Sequence, residues 1–197
     1  MKTSAINLVS FIFFISIMLF SSCQKDEIYE LEINDENPVI EKTINGIDFK
    51  FCLLNEKGEP ATIFEEEENF TFQFTFQNNL EDLITVNTSF VTNNFFEVTQ
   101  RNNGQNIDLG KPYTGIWCEY VGGPKNFVLT PNAIGGVQCP WVTSGGENIH
   151  PFCASESREA LNSGTYFTQF DLNFQYTIYG KEFKINNKNF KINFEFN

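Results

Sequence analysis

The chain is predicted to be all-β, an antiparallel β-sandwich of seven to nine strands, with a small closed β-barrel as the alternative. Three observations predict this. From Val39 onward apolar residues recur with period two rather than 3.6, the spacing of half-buried strands. Turn residues punctuate that stretch about every 8–12 positions, as in sandwiches. No segment sustains a helical period beyond a turn or two. Of the 23 phenylalanines, the nineteen after residue 22 sit mostly at alternate strand positions, and each contributes about 1.5–3 kcal/mol on full burial.

The N-terminus comes first. Lys2 supplies a minimal basic region, and Leu8 to Phe20 is apolar apart from Ser10 and Ser16. A bilayer-spanning helix needs ~20 apolar residues, so this shorter run predicts a cleaved export signal over residues 1–22. Small Ser21 and Ser22 then precede Cys23. Phe20-Ser21-Ser22-Cys23 resembles the lipobox of bacterial lipoproteins in the relaxed form of Bacteroidota, although strict lipoboxes carry an aliphatic residue where Phe20 stands. Gln24, Lys25, Asp26 and Glu27 are similar to the signal that sends such lipoproteins to the outer face of the outer membrane. The resemblance implies acylation of Cys23 on its sulfur and on its new amine, and two or more chains anchor a protein stably. The expected address is therefore an outer-membrane lipoprotein exposed at the cell surface, held by the lipid on Cys23.

Residues 24–37 carry six acids against Lys25 alone. Low apolar content and self-repulsion predict a tether over 23–38, with Pro38 ending it and the sandwich filling 39–197. The net charge of −12 leaves no electrostatic footprint for nucleic acid.

In the domain, Asn45-Gly46 between extended runs is a two-residue hairpin signal. Ile47, Phe49, Phe51 and Leu53 share one face of the second arm. Asn55 to Pro60 is a turn, and Glu65–Glu68 a solvated one rather than a calcium loop, whose spaced aspartates and glycine are missing. Phe70 to Phe76 alternates phenylalanine with Thr or Gln and is the purest strand. Leu83–Thr92 is expected to return along it, and Asn93-Asn94 and Asn102-Asn103-Gly104 to bracket a short strand at Phe95–Thr99. Tyr113–Val121 and Asn126–Leu129 flank Gly122-Gly123-Pro124 as a hairpin. Residues 131–164 are expected to be irregular, with up to two helical turns at Ser155–Leu161. Tyr166–Tyr179, Phe183–Ile185 and Phe190–Phe196 close the chain as a meander. Phe51-Cys52-Leu53-Leu54-Asn55, Glu68 leading into Phe70 to Phe76, Asn78 and Leu161-Asn162-Ser163-Gly164-Thr165-Tyr166 resemble immunoglobulin-like domains of Bacteroidota lipoproteins, distantly similar to BsuPI-type proteinase-inhibitor domains. The resemblance implies an immunoglobulin-like sandwich.

Four cysteines remain beyond Cys23, namely Cys52, Cys118, Cys139 and Cys153. An even number in an exported chain suggests up to two disulfides. Three connectivities are open, and Cys139–Cys153 closes the shortest loop. Cys118, Cys139, His150 and Cys153 are permitted zinc ligands but lack the tight pairs of structural zinc sites, so no metal and no cofactor is expected. Cys52 can equally be a buried free thiol.

No Gly-x-Ser-x-Gly, phosphate-binding or dinucleotide-binding glycine pattern occurs, and the sole histidine, His150, lies in a loop. An enzyme is not expected. Tyr113, Trp117, Tyr120 and Trp141 fall outside clean alternation and are the candidates for contacting a glycan or protein partner; the opposing reading packs Trp117 or Trp141 in the sandwich centre. The expected function is a non-catalytic surface binding module. A proteinase inhibitor and an accessory subunit of an outer-membrane complex are the alternatives.

Overall fold

The computed structural model describes residues 26–33, 36–113, 126–147 and 154–197. Twelve strands lie among them. They are β1 (Glu27–Leu31), β2 (Ile40–Ile44), β3 (Ile47–Leu54), β4 (Ile63–Phe64), β5 (Thr71–Asn78), β6 (Ile84–Asn87), β7 (Val98–Asn102), β8 (Gln105–Gly110), β9 (Asn126–Leu129), β10 (Ile134–Pro140), β11 (Gly164–Ile178) and β12 (Lys181–Phe196). A four-stranded sheet runs β10-β5-β3-β2. An eight-stranded sheet runs β1-β12-β11-β6-β9, with β4 also on β12, β7 also on β11, and β8 on β7. The two sheets do not close into a barrel, and the architecture is an all-β sandwich. Its pairings are antiparallel except those of β1 and β4 with β12, which are parallel.

Alternation puts the phenylalanines between the sheets. Phe49, Phe51, Phe72, Phe74 and Phe76 occupy matched positions of β3 and β5, and all are fully buried. Phe170, Phe174, Phe190 and Phe194 face them from β11 and β12. Phe49 meets Phe174, and Phe51 meets Phe170, edge-on at 5.0 Å between centroids, the arrangement favoured by the ring quadrupole.

The two-residue hairpin forms as expected: Asn45 and Gly46 have φ of 52° and 79°, the paired positive values of a type I′ turn. Asn103-Gly104 and Tyr179-Gly180 repeat the device, joining β7 to β8 and β11 to β12.

Elsewhere the local reading is corrected. Leu83–Thr92 does not return along β5. Only Ile84–Asn87 is a strand, and it joins the other sheet beside β11 and β9. The strand expected at Phe95 begins at Val98, because Phe95 and Phe96 are both fully buried. Consecutive residues of a strand point oppositely, so the chain turns there, with Phe96 at φ 62°. The expected helical turns at Ser155–Leu161 are absent: Arg158 Nε donates to Lys111 O at 2.7 Å, and Glu159 O accepts the Trp141 indole N–H at 2.9 Å. The last two expected strands are one, since Asn186 and Asn187 form a bulge between the pairs Leu172↔Lys188 and Phe174↔Ile185, with Asn187 at φ 59°.

The expected irregular segment 131–164 contains β10, paired with β5 from Ile134↔Gln77 to Pro140↔Thr71. Its glycines pack closely instead of breaking the strand. A Cβ on Gly135 would lie 2.7 Å from the Phe76 ring, and one on Gly136 2.6 Å from Phe74 O.

The largest departure is β1. Its acids find their counter-charges across the sheet, as Glu27 pairs with Lys188 at 2.9 Å and Glu30 with Lys191 at 2.5 Å. Tyr29 lies edge-on to Phe190 at 5.2 Å, and Leu31 is buried beside it. Part of the segment expected to be a tether is therefore a strand of the domain.

Candidate functional site

Two of the four aromatic candidates are core residues. Tyr113 is 2% exposed and its hydroxyl donates to Phe95 O at 2.6 Å. Burial pushes the phenol well above its usual range. Trp141 is also 2% exposed and stacks on Phe70 at 5.9 Å. Neither presents a surface to a ligand, and the expectation of binding through them is corrected. Trp117 and Tyr120 lie outside the described residues, as do Cys23, Gln24, Lys25, Cys118, His150 and Cys153.

Cys52 and Cys139 are free thiols, so the expected bridge from Cys139 to Cys153 is not formed. Nor are the two placed to join each other. Cys52 pairs with Gln73 and Cys139 with Phe72, adjacent residues of β5 that face opposite ways. Cys139 points into the core, whereas Cys52 lies on the outer face with its thiol 3.7 Å from Gln73 Oε1. Burial raises the Cys52 thiol to about 11 and the Cys139 thiol to about 12. Both are protonated and poorly nucleophilic at neutral pH. Among the described residues no group of three or more His, Cys, Asp or Glu is arranged to hold a metal.

One constellation invisible in the sequence is a carboxyl pair. Glu97 precedes β7 and Asp108 lies on β8. Burial, then the Asp108 charge and a shared hydrogen bond, raise Glu97 above the usual carboxylate range, against a smaller lowering by Lys111. Asp108 is held by the Gly110 N–H at 2.7 Å. Glu97 therefore retains a proton more readily than an isolated carboxyl.

A second constellation is the seam where the sheets' edges meet. Among the described residues β1 pairs only with β12, and β2 only with β3. Each therefore keeps one side of its backbone without a strand partner among the described residues. Between them lies an open groove of about 430 Å³, lined by residues including Ile28, Glu30, Asn37, Val39 and Lys42. The same strands hold its walls in place. The Tyr29 hydroxyl donates to Glu27 Oε2 at 2.6 Å, and Lys42 Nζ lies 5.0 Å over the Tyr29 ring. That hydrogen bond from Tyr29, then Lys188, holds the Glu27 carboxyl below its usual range. Lys191, then Asn193, does the same for Glu30. Burial, then Glu27, raises the Tyr29 phenol to about 12. The outward Ile28 is 62% exposed. Such a groove offers backbone donors and acceptors, fixed charges and one apolar contact. Only Glu27 and Asp26 of the expected export signal fall among the described residues, and Glu27 is the first residue of the seam.

No known family profile matches this chain. A search among curated proteins finds no relative either.

Proposed function

We propose that the chain is a surface-exposed outer-membrane lipoprotein whose sandwich is a non-catalytic binding module, and that it takes an extended segment of a protein partner in the β1–β2 seam. The observation that supports this best is the groove between two edge strands, each with one side unpaired among the described residues. An extended peptide adds to such an edge through main-chain hydrogen bonds, while the flanking side chains select its sequence. Protein is favoured over glycan because the aromatic residues expected to stack on sugar, where described, are buried. Lipidation at Cys23 rests on the run Phe20-Ser21-Ser22-Cys23. Its short distance from β1 would keep the seam near the membrane, where neighbouring membrane proteins present their extended segments.

The test is photo-crosslinking on intact cells, with a photoreactive residue replacing exposed Thr43 on β2 or Lys57 in a distant turn. The proposal expects a discrete protein adduct from position 43 and none from 57. Equal labelling from both positions, or no adduct from position 43 in cells that display the protein, contradicts it. Loss of secreted-protease activity on adding the purified domain would instead support the inhibitor reading.

A further inference from the structure

We propose that the end of the sandwich bearing the Tyr179-Gly180 turn rests against a phospholipid bilayer, as the apolar foot of the anchored domain. The inference depends on Cys23 being lipidated, as proposed above, and adds the orientation in which the lipid holds the fold.

Strand direction carries the first part. β1 enters beside Lys188 and runs parallel to β12 toward Ile192. Against that direction lies Lys181, at the turn from β11. The N-terminal end of β1 therefore points toward that turn. Cys23 precedes Glu27 by four residues, which span at most about 14 Å when fully extended. The start of β1 lies midway along β12, so a lipid on Cys23 stays on the turn side unless the chain doubles back. Even then it stops short of the acidic end, eight strand residues or about 26 Å beyond Lys188.

Apolar exposure carries the second part. Seven large apolar side chains are exposed among the described residues, and four occupy this end: Leu83 at 49%, Val128 at 62%, Ile134 at 65% and Tyr179 at 89%. Tyr179 directly follows β11, and its hydroxyl donates to Asp82 Oδ1 at 2.9 Å, beside Leu83. Val128 pairs with Thr85, itself opposite Thr177. Ile134 pairs with Gln77, one residue before β5 ends. Tyrosine and lysine suit the membrane interface, with the ring or stem in the apolar layer and the polar tip in water. Lys181 and Lys184 follow Tyr179 closely.

The opposite end is a different surface. Glu56, Glu59 and Glu65–Glu68 gather around the turn after β3 and the end of β4, tied together by Glu68 accepting from the Glu56 and Glu65 N–H groups. Lipid phosphates repel such a cluster within a Debye length of about 8 Å. At the apolar end Glu81, Asp82 and Glu182 offset the two lysines. The partner is therefore a zwitterionic bilayer, bound through its interfacial apolar layer rather than by net charge.

The test uses the full-length lipoprotein on vesicles of phosphatidylcholine and phosphatidylethanolamine, with the Cys23→Ala chain in solution as reference. Amide hydrogen exchange is followed by mass spectrometry, together with the mass of the N-terminal peptide. Peptides covering 80–83, 128–134 and 179–183 are expected to exchange about tenfold more slowly on vesicles, with 56–68 unchanged. The combined Leu83→Ser, Val128→Ser and Tyr179→Ser chain, still lipidated, is expected to lose that protection. A lipid-bearing chain whose Tyr179 end exchanges as freely as the reference overturns this proposal and leaves the anchor standing. An N-terminal peptide without lipid overturns both.

Discussion

Arg101 Nη2 donates to Asn193 Oδ1 at 2.6 Å, and the same asparagine turns its amide to the N-terminal strand. Asn193 Nδ2 donates to Glu30 Oε1 at 2.8 Å and to Leu31 O at 3.1 Å. One residue, 1% exposed, thus joins β7 to β1 across β12. Replacing it strands the buried Leu31 carbonyl, at about 1–3 kcal/mol for the unmet group, while the exposed Arg101 guanidinium turns to water. Asn193→Leu is expected to lower the urea midpoint and to free the amides of Tyr29–Leu31 before the rest of the sandwich. A variant in which β1 stays as protected as the core contradicts this role.

The seam should be acid-sensitive. The folded Glu27 and Glu30 carboxyls sit below the ordinary 4.5. Their contribution is therefore full above pH 4.5 and is lost as pH falls through the lowered folded values. Tyr29 has the opposite sign. Its raised folded value keeps a contribution that is complete below pH 10 and fades as pH climbs toward about 12. Amide resonances of β1 followed against pH should shift at both limits while those of β5 hold. Glu30→Gln should abolish most of the acidic change.

Glu97 reports its burial first and the Asp108 charge second. Its folded value is raised, so the favourable contribution is present below the unfolded value and is lost as pH rises. Glu97→Gln is expected to raise the melting temperature at pH 7 and to have little effect at pH 4. An unchanged melting temperature at both values would contradict a raised Glu97 carboxyl.

Thr168 faces the core with no exposure and its hydroxyl has no hydrogen-bond partner. Val keeps the shape and removes the unmet group, so Thr168→Val should stabilise the fold by about 1 kcal/mol. Trp141→Ala should cost about 3–5 kcal/mol through the cavity left against Phe70. Chemical denaturation of both variants ranks them.

The two described thiols are buried and protonated at neutral pH. Folded protein should leave Cys52 and Cys139 unlabelled by a disulfide-exchange reagent, and denatured protein should label both. Peptide mapping reads the difference directly.

How much of this was legible follows from what each signal depends on. Phe70–Phe76 and Phe170–Ile178 were readable because period two and one buried face are properties of the segment itself. Asn45-Gly46 was readable because its backbone angles select those residues. β1 was not, since composition shows its acids while Lys188 and Lys191, which neutralise them, lie about 160 residues away. β10 was hidden because Gly135 and Gly136 look like breakers until Phe74 and Phe76 are packed against them. Trp141 looked available only while its segment was taken for a loop. The Glu97–Asp108 pair and the β1–β2 groove depend on strand order, which pattern alone does not contain.

The most direct test of the account is the mass of the mature N-terminus in protein extracted from membranes, alongside the Cys23→Ala chain. The account predicts a first residue at Cys23 carrying a diacylglycerol thioether and an amide-linked acyl chain, with the substituted protein unlipidated and released. A mature chain that starts elsewhere, or an unmodified Cys23 thiol on membrane-bound protein, would contradict it.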